Sequence, residues 1–171
     1  QGKLSKFSFI HLATHAVPDL RQWENSYLIL SQVDLPDPLS SATSGKRIID
    51  GLLTVEEILK EWNINGSLVT LSACETALGI KVRNEGYIGF AQALFIAGAR
   101  SVVLSLWKVD DRATMLLMNR FYRNIIKKGY SKSYAIREAK LWLKDYTAKN
   151  GEKPYEHPFY WAGFILMGDG N

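Results

Sequence analysis

One cysteine and three histidines are the residues of this sequence best suited to nucleophilic chemistry. Cys74 follows the apolar and β-branched run SLVTLSA, and His15 follows a second such run, FSFIHLAT. A thiolate attacks carbonyl carbon, and a neighbouring imidazole can take the proton of the thiol. His15 and Cys74 are therefore candidates for a Cys/His dyad that performs acyl transfer, most simply peptide hydrolysis.

Attack on a carbonyl also requires donors for the developing oxyanion, and backbone N–H groups commonly supply them. The N–H of Cys74 and the N–H of Ala16, directly after His15, are the two candidates. A role for Cys74 in packing alone stays open, because free cysteines are among the most buried residues in proteins.

The other histidines predict no metal site. His11 and His15 are four positions apart in HLATH, which is a shared face on a helix but not on a strand and its end. We interpret His11 as a core histidine with one backbone partner. His157, which precedes Pro158, is predicted to be structural.

Four apolar runs, at 7–14, 67–73, 101–107 and 161–167, predict strands, and helical patterns near 54–62, 87–97, 110–128 and 131–149 alternate with the last three. The segment 16–47 is predicted to be irregular apart from a short strand in NSYLILSQ, and Thr54 to Glu57 form a capping box. This order is typical of an α/β sandwich with a mostly parallel sheet. Sites in such folds gather at the carboxyl ends of the strands, which would place Asp110 and Asp111 near His15 and Cys74.

Composition limits the classes of protein to which the chain can belong. With 171 residues, 47% of them hydrophobic, it predicts one globular domain. The net charge of +4 comes from scattered basic residues, so nucleic acid is expected as an indirect partner at most. A single cysteine fits a reducing compartment, and we predict a cytoplasmic location. The longest nearly apolar stretch, IGFAQALFIAGA, is too short to span a bilayer, so no membrane association is expected.

Four segments occur together and in order: HLATHA, LVTLSACETALG, EGYIGFAQALFIAGARSVVLSLWKVDDRAT and HPFYWAGFILMGD. They closely resemble the CHAT family, caspase-like domains that often accompany tetratricopeptide repeats. The likeness extends from about Phe9 to Asp169. It implies a three-layer sandwich with a mostly parallel caspase-like sheet flanked by helices.

The resemblance also implies an activity. In that family the second histidine of the first motif and the cysteine of SACET form the catalytic dyad of a cysteine endopeptidase, and these positions are His15 and Cys74. Substrate would lie along the strand that ends in SLW, near acidic side chains suited to a basic residue before the cleaved bond. The implied substrate-binding residues are Glu75, Leu106, Trp107, Lys108, Asp110 and Asp111.

The chain departs from the family pattern in two places. Ala16 stands where glycine is usual after the catalytic histidine, which keeps the N–H but adds a methyl group. The family usually has further strands before the first motif, whereas this chain begins at the strand that leads to His15. We therefore interpret residues 1–171 as a single CHAT domain without its N-terminal strands, and expect a segment or another chain beside 7–14.

These observations predict a protease, the regulated effector domain of a larger protein. Its expected partners are a protein or peptide substrate and an N-terminal regulatory segment or repeat domain of the same protein, and no cofactor is expected. A catalytically silent CHAT-like scaffold or sensor is the alternative function. A nucleotide-binding switch is a third hypothesis, although the sequence has no phosphate loop.

Overall fold

The computed structural model describes residues 3–19, 21–45, 48–72 and 89–171. In chain order the strands are β1 (Phe9–Leu12), β2 (His15–Val17), β3 (Tyr27–Ile29), β4 (Leu52–Thr54), β5 (Leu68–Leu71), β6 (Ser101–Ser105) and β7 (Phe164–Gly168). The helices are α1 (Pro38–Thr43), α2 (Val55–Glu61), α3 (Gly89–Ile96), α4 (Asp111–Lys128) and α5 (Lys132–Lys144).

The larger sheet has the order β1-β5-β6-β7, in which the first three strands are parallel and β7 is antiparallel. Every residue of β5 and β6 is buried, as expected for central strands covered on both faces. Burial on both faces explains why the sequence runs of these two strands are almost continuously apolar. The predicted mostly parallel sheet is confirmed.

Helices cover both faces of this sheet, which confirms the predicted three-layer sandwich. On one face Val69 and Leu104 pack in a cluster with residues of α2 and α3. On the other face Val103 and Phe164 pack in a second cluster with residues of α4 and α5. The alternation of side chains along each strand sends neighbouring residues to opposite clusters.

The predicted short strand in NSYLILSQ is confirmed as β3. Its pairing with β2 and β4 into a second, smaller sheet was not predicted, and this sheet corrects the expected strand at 7–14. The chain leaves the larger sheet after Leu12 and joins β3 at His15, so the single predicted run forms two short strands. The hydroxyl of Thr14 donates to the carbonyl of Ile29 at this junction. Helix α1 also lies in a segment predicted to be irregular, and Asp37 caps its first N–H groups.

Local signals placed most helix ends correctly. The capping box of Thr54 and Glu57 begins α2, and Asp110 caps α4 by accepting from the N–H of Ala113 at 2.9 Å. Gly129 ends α4 with φ of 66°, a conformation that suits glycine. Helix α5 ends at Lys144, earlier than predicted, and the last strand begins at Phe164 rather than 161.

The short 3₁₀ turn Pro158–Tyr160 accounts for the late start of that last strand. His157 caps the turn, since its Nδ1 accepts from the N–H of Phe159 at 3.2 Å. The predicted structural role of His157 is therefore confirmed.

A charged cluster joins α4 to α5. Arg120 donates through Nε to Oε2 of Glu138 at 2.9 Å and forms a second bond to Oε1, while its guanidinium lies 5.3 Å from the ring centre of Trp142. Asn124, which is fully buried, donates to the same carboxylate at 2.5 Å. The Arg120 guanidinium is the main cause that lowers the pKa of Glu138 to about 2, and the cluster fixes the packing of the two helices.

Within the described ranges, no helix combines the length and the apolar character that crossing a membrane requires.

Candidate active site

An open cleft of about 560 Å³ lies at the carboxyl ends of β1 and β5. The strand ends contribute His11, Ala13, Thr14, His15 and Ser72 to its lining. One face of α4 forms the opposite wall, through Asp111, Thr114, Met115, Met118, Asn119 and Tyr122. The position agrees with the rule that sites of α/β sheets form where parallel strands end.

His15 is held at the rim of this cleft by the smaller sheet. It is the first residue of β2 and is paired with Ile29 of β3. Its neighbour Thr14 is fixed to the carbonyl of the same Ile29. His15 is exposed, so its ring is accessible to a substrate in the cleft.

The register of the smaller sheet determines where the N–H of Ala16 points. The N–H of Leu30 donates to the carbonyl of Gly51 at 2.7 Å, so every second residue of β3, including Leu28, directs its backbone toward β4. Tyr27 and Ile29 therefore direct their backbone N–H and C=O groups toward β2. Because Ala16 is paired with Leu28, its own N–H is directed away from β3 and is not used by this ladder.

Cys74 and Glu75 lie outside the described residues. Ser72 is the last described residue before them, and it lines the same cleft as His15. Its N–H donates to the carbonyl of Leu12 at 3.1 Å, which continues the pairing of β5 with β1. The structure thus brings His15 together with a residue two positions before Cys74.

Five of the residues predicted to bind substrate are among the described residues, and of these only Asp111 lines the cleft. Its neighbour Asp110 caps α4 instead, and Lys108 is exposed between β6 and α4. Leu106 donates its N–H to the carbonyl of Gly163 at 2.6 Å. The indole of Trp107 donates to the carbonyl of Phe159 at 3.0 Å and stacks on the Phe159 ring.

His11 corrects the prediction of a core histidine with a backbone partner. The residue is exposed at the cleft, and its Nε2 lies 2.7 Å from Oγ of Ser72, a side-chain partner. The ring centre is 5.6 Å from that of Tyr122. Partial burial of the ring lowers the pKa of His11 below its ordinary value, so the neutral form prevails at pH 7.

Tyr122 and the rest of the α4 wall were missed as site residues. Asp111, Met115, Met118 and Tyr122 follow one another at helical spacing, which is a signal for a shared face. That spacing predicts packing equally well, and only the direction in which α4 crosses the sheet shows that this face borders the cleft.

The described fold and cleft can be compared with known sequences. The sequence model of the CHAT domain matches residues 2–169. The chain belongs to the CHAT family. This CHAT domain is 26% identical over 189 residues to tetratricopeptide repeat protein 28 of Mus musculus. It is 28% identical over 190 residues to tetratricopeptide repeat protein 28 of Homo sapiens.

These relatives are much longer proteins. Each alignment includes 96% of the CHAT domain described here, which spans 7% of the length of the relative. The match of the CHAT sequence model establishes the domain family. The names of both relatives refer to tetratricopeptide repeats.

Proposed function

We propose that this CHAT domain is a cysteine endopeptidase in which Cys74 is the nucleophile and His15 the general base. The observation that supports the proposal is the cleft at the carboxyl ends of β1 and β5, which both His15 and Ser72 line. Cys74 is the only cysteine of the chain and follows Ser72 by two positions. Substrate can therefore approach an imidazole and the start of the cysteine-bearing segment from one side.

The reaction would proceed in two halves. His15 takes the proton of the Cys74 thiol, and the sulfur attacks the peptide carbonyl carbon to give a tetrahedral oxyanion. The intermediate collapses to a thioester as the amine leaves with the proton from His15. Water, deprotonated by His15, then attacks the thioester, which releases the carboxylic acid and restores the thiol. No cofactor is required for either half.

Two backbone N–H groups are proposed to stabilise the oxyanion, those of Ala16 and Cys74. The register of the smaller sheet supports the first, because it directs the N–H of Ala16 away from the β2–β3 ladder. Its methyl group does not remove this donor. Each such donor contributes about 3 kcal/mol where it has been measured in other proteases.

For substrate recognition, Asp111 is the described acidic residue on the cleft, and we propose that it favours a basic side chain before the cleaved bond. Glu75 would add a second carboxylate beside the nucleophile. The carboxyl end of β6, with Leu106, Trp107 and Lys108, is proposed to carry the substrate backbone, and Asp110 to lie at its mouth. Because the N–H of Leu106 donates to the carbonyl of Gly163, this donor would not pair with the substrate backbone.

In its biological setting the domain is proposed to be the regulated effector of a larger, cytoplasmic protein. The names of the two mammalian relatives support a repeat domain of the same polypeptide as the regulatory partner. Binding to the repeat domain would then control access of a protein substrate to the cleft.

The test compares cleavage of a peptide library by the wild-type domain, by Cys74→Ala and by His15→Ala. We expect both substitutions to lower kcat at least about 100-fold, the range in which general bases contribute. His157→Gln is the matched control, since it removes an imidazole from a turn that does not line the cleft. Equal cleavage by Cys74→Ala would exclude the proposed nucleophile.

A silent scaffold or sensor makes a different prediction for the same variants. Its thiol would react with a peptidyl acyloxymethyl ketone no faster than a free thiol, and His15→Ala would leave the rate unchanged. The methyl group of Ala16, where the family has glycine, is the feature that favours this outcome. Labelling of Cys74 that depends on His15 would exclude it.

A further inference from the structure

The side chain of His11 connects the carboxyl ends of two neighbouring strands. Its Nε2 lies 2.7 Å from Oγ of Ser72, within the usual range for a hydrogen bond between a ring nitrogen and a hydroxyl. The N–H of Ser72 is bonded at the same time to the carbonyl of Leu12. Ser72 is therefore attached to β1 through both its backbone and its side chain.

The ring of His11 is itself fixed from the side of α4. Tyr122 lies against it with 5.6 Å between ring centres and an interplanar angle of 39°. The hydroxyl of Tyr122 donates to Oγ1 of Thr70 at 2.8 Å, and Thr70 is fully buried opposite His11 in the β1–β5 register. Because Phe9 also packs on Tyr122 edge to face, the position of this tyrosine is determined on several sides.

The proposed mechanism uses His15 and leaves His11 without a role, although both rings border one cleft. The geometry points to His11 as a positioning residue, which holds the hydroxyl of Ser72, two positions before the proposed nucleophile Cys74. This inference rests on the proposed function, because it concerns the placement of the proposed nucleophile.

The charge of His11 is consistent with this role. Burial lowers its pKa, so at pH 7 the ring is neutral and offers one nitrogen as an acceptor for a hydroxyl. Among the described residues, the titratable groups that line the same cleft are Tyr122 and Asp111 on α4 and His15 on β2. Protonation would turn both ring nitrogens into donors, so that the Ser72 hydroxyl could only accept from His11.

The test uses the single cysteine as a reporter. Alkylation of Cys74 by iodoacetamide is measured against pH for wild type, His11→Ala, Ser72→Ala and the double variant, together with kcat and KM for a cleaved peptide. We expect each single variant to lower kcat about 10- to 100-fold, as displacements of about 1 Å do, with KM within about threefold of wild type. The pH of half-maximal alkylation should rise toward that of a free thiol.

Two further results identify the hydrogen bond as the cause. The double variant should resemble the single variants, because both remove one interaction. His11→Gln, whose amide can bond Ser72, should recover part of kcat. His157→Gln serves as the control for loss of an imidazole, and urea unfolding verifies that each variant is folded.

Wild-type alkylation and turnover in His11→Ala, or additive losses in the double variant, would overturn the inference. Labelling of Ser72 by a fluorophosphonate would also overturn it, because His11 and Ser72 would then be a nucleophilic pair of their own. If the wild-type domain cleaves no peptide, the proposed function fails, while the alkylation measurements still decide whether His11 positions Cys74.

Discussion

Tyr122, in the middle of α4, donates its phenolic hydrogen to the hydroxyl of Thr70 at the centre of the larger sheet, with 2.8 Å between the oxygens. Thr70 is fully buried in a strand whose other residues are apolar. This bond therefore satisfies a polar group in the core. It also fixes the position of α4 over the sheet, where one face of the helix borders the cleft.

Replacement of Tyr122 by Phe should leave the buried Thr70 hydroxyl without this partner. We expect a loss of about 1–3 kcal/mol in the free energy of unfolding, measured by urea titration. Adding Thr70→Val to the same chain should recover much of the loss, because both polar groups are then absent. An unchanged free energy of unfolding in Tyr122→Phe would contradict the importance of this bond.

The stability of the domain should depend on pH through His11. Its pKa is lowered in the folded state relative to 6.5, so between these values the unfolded chain binds more protons. The free energy of unfolding should therefore rise with pH from the folded pKa to about 6.5. His11→Gln should flatten this part of the curve in urea titrations at several pH values, and a slope identical to wild type would assign the effect to another group.

Glu138→Gln should weaken the contact between α4 and α5. The carboxylate accepts from Arg120 and Asn124 with its side chain 23% exposed, and we expect a loss of about 1–3 kcal/mol at pH 7. Because the folded pKa is about 2 and the ordinary value is 4.5, this contribution is present above 4.5 and is lost as pH falls toward 2. The difference between variant and wild type in urea titrations should disappear over that range.

Glu56→Gln is the matched control for that measurement. Glu56 pairs with Lys60 at 2.5 Å, but the two side chains are 53% and 67% exposed. Removal of this pair should change the free energy of unfolding by less than about 1 kcal/mol. Equal losses in the two variants would mean that packing at the helix interface adds nothing to the Arg120 pair.

Asp111→Asn should reduce the preference for a basic residue before the cleaved bond. Removal of its charge from the cleft should lower kcat/KM for such peptides about tenfold relative to apolar ones, a difference of about 1.4 kcal/mol. Asp110→Asn removes the same charge one residue earlier, and asparagine still caps α4. A larger loss in Asp110→Asn than in Asp111→Asn would assign the recognition to Asp110.

The parts of this fold that the sequence predicts are those determined by neighbouring residues. The runs of β5 and β6 are apolar throughout because both faces are covered, and Asp110 and Gly129 bound α4 through backbone bonds within a turn. The smaller sheet is different, since β2 and β4 have three residues each and are joined only through β3. The local run NSYLILSQ predicts β3, but nothing local predicts that β3 pairs with β2 and β4.

The same distinction between local and tertiary causes applies to the residues of the candidate site. The sequence predicts His15 near the rim of the sheet because an apolar run precedes it and sites form where parallel strands end. Its position as the first residue of β2 was not predicted. The contact between His11 and Ser72 was missed because the sequence does not show that the side of β1 that carries His11 borders a cleft shared with Ser72 and Tyr122. The wall formed by α4 likewise depends on how the helix crosses the sheet.

The antiparallel direction of β7 has a practical consequence. Gly168, at its carboxyl end, is paired with Ser101 at the amino end of β6. The polypeptide therefore reaches Asn171 near the amino ends of the parallel strands, opposite the end that borders the cleft. A fluorescent reporter or a biotin acceptor peptide joined after Asn171 would thus leave the cleft facing solution on a sensor surface. Because the single cysteine is the proposed nucleophile, such immobilisation should avoid maleimide coupling.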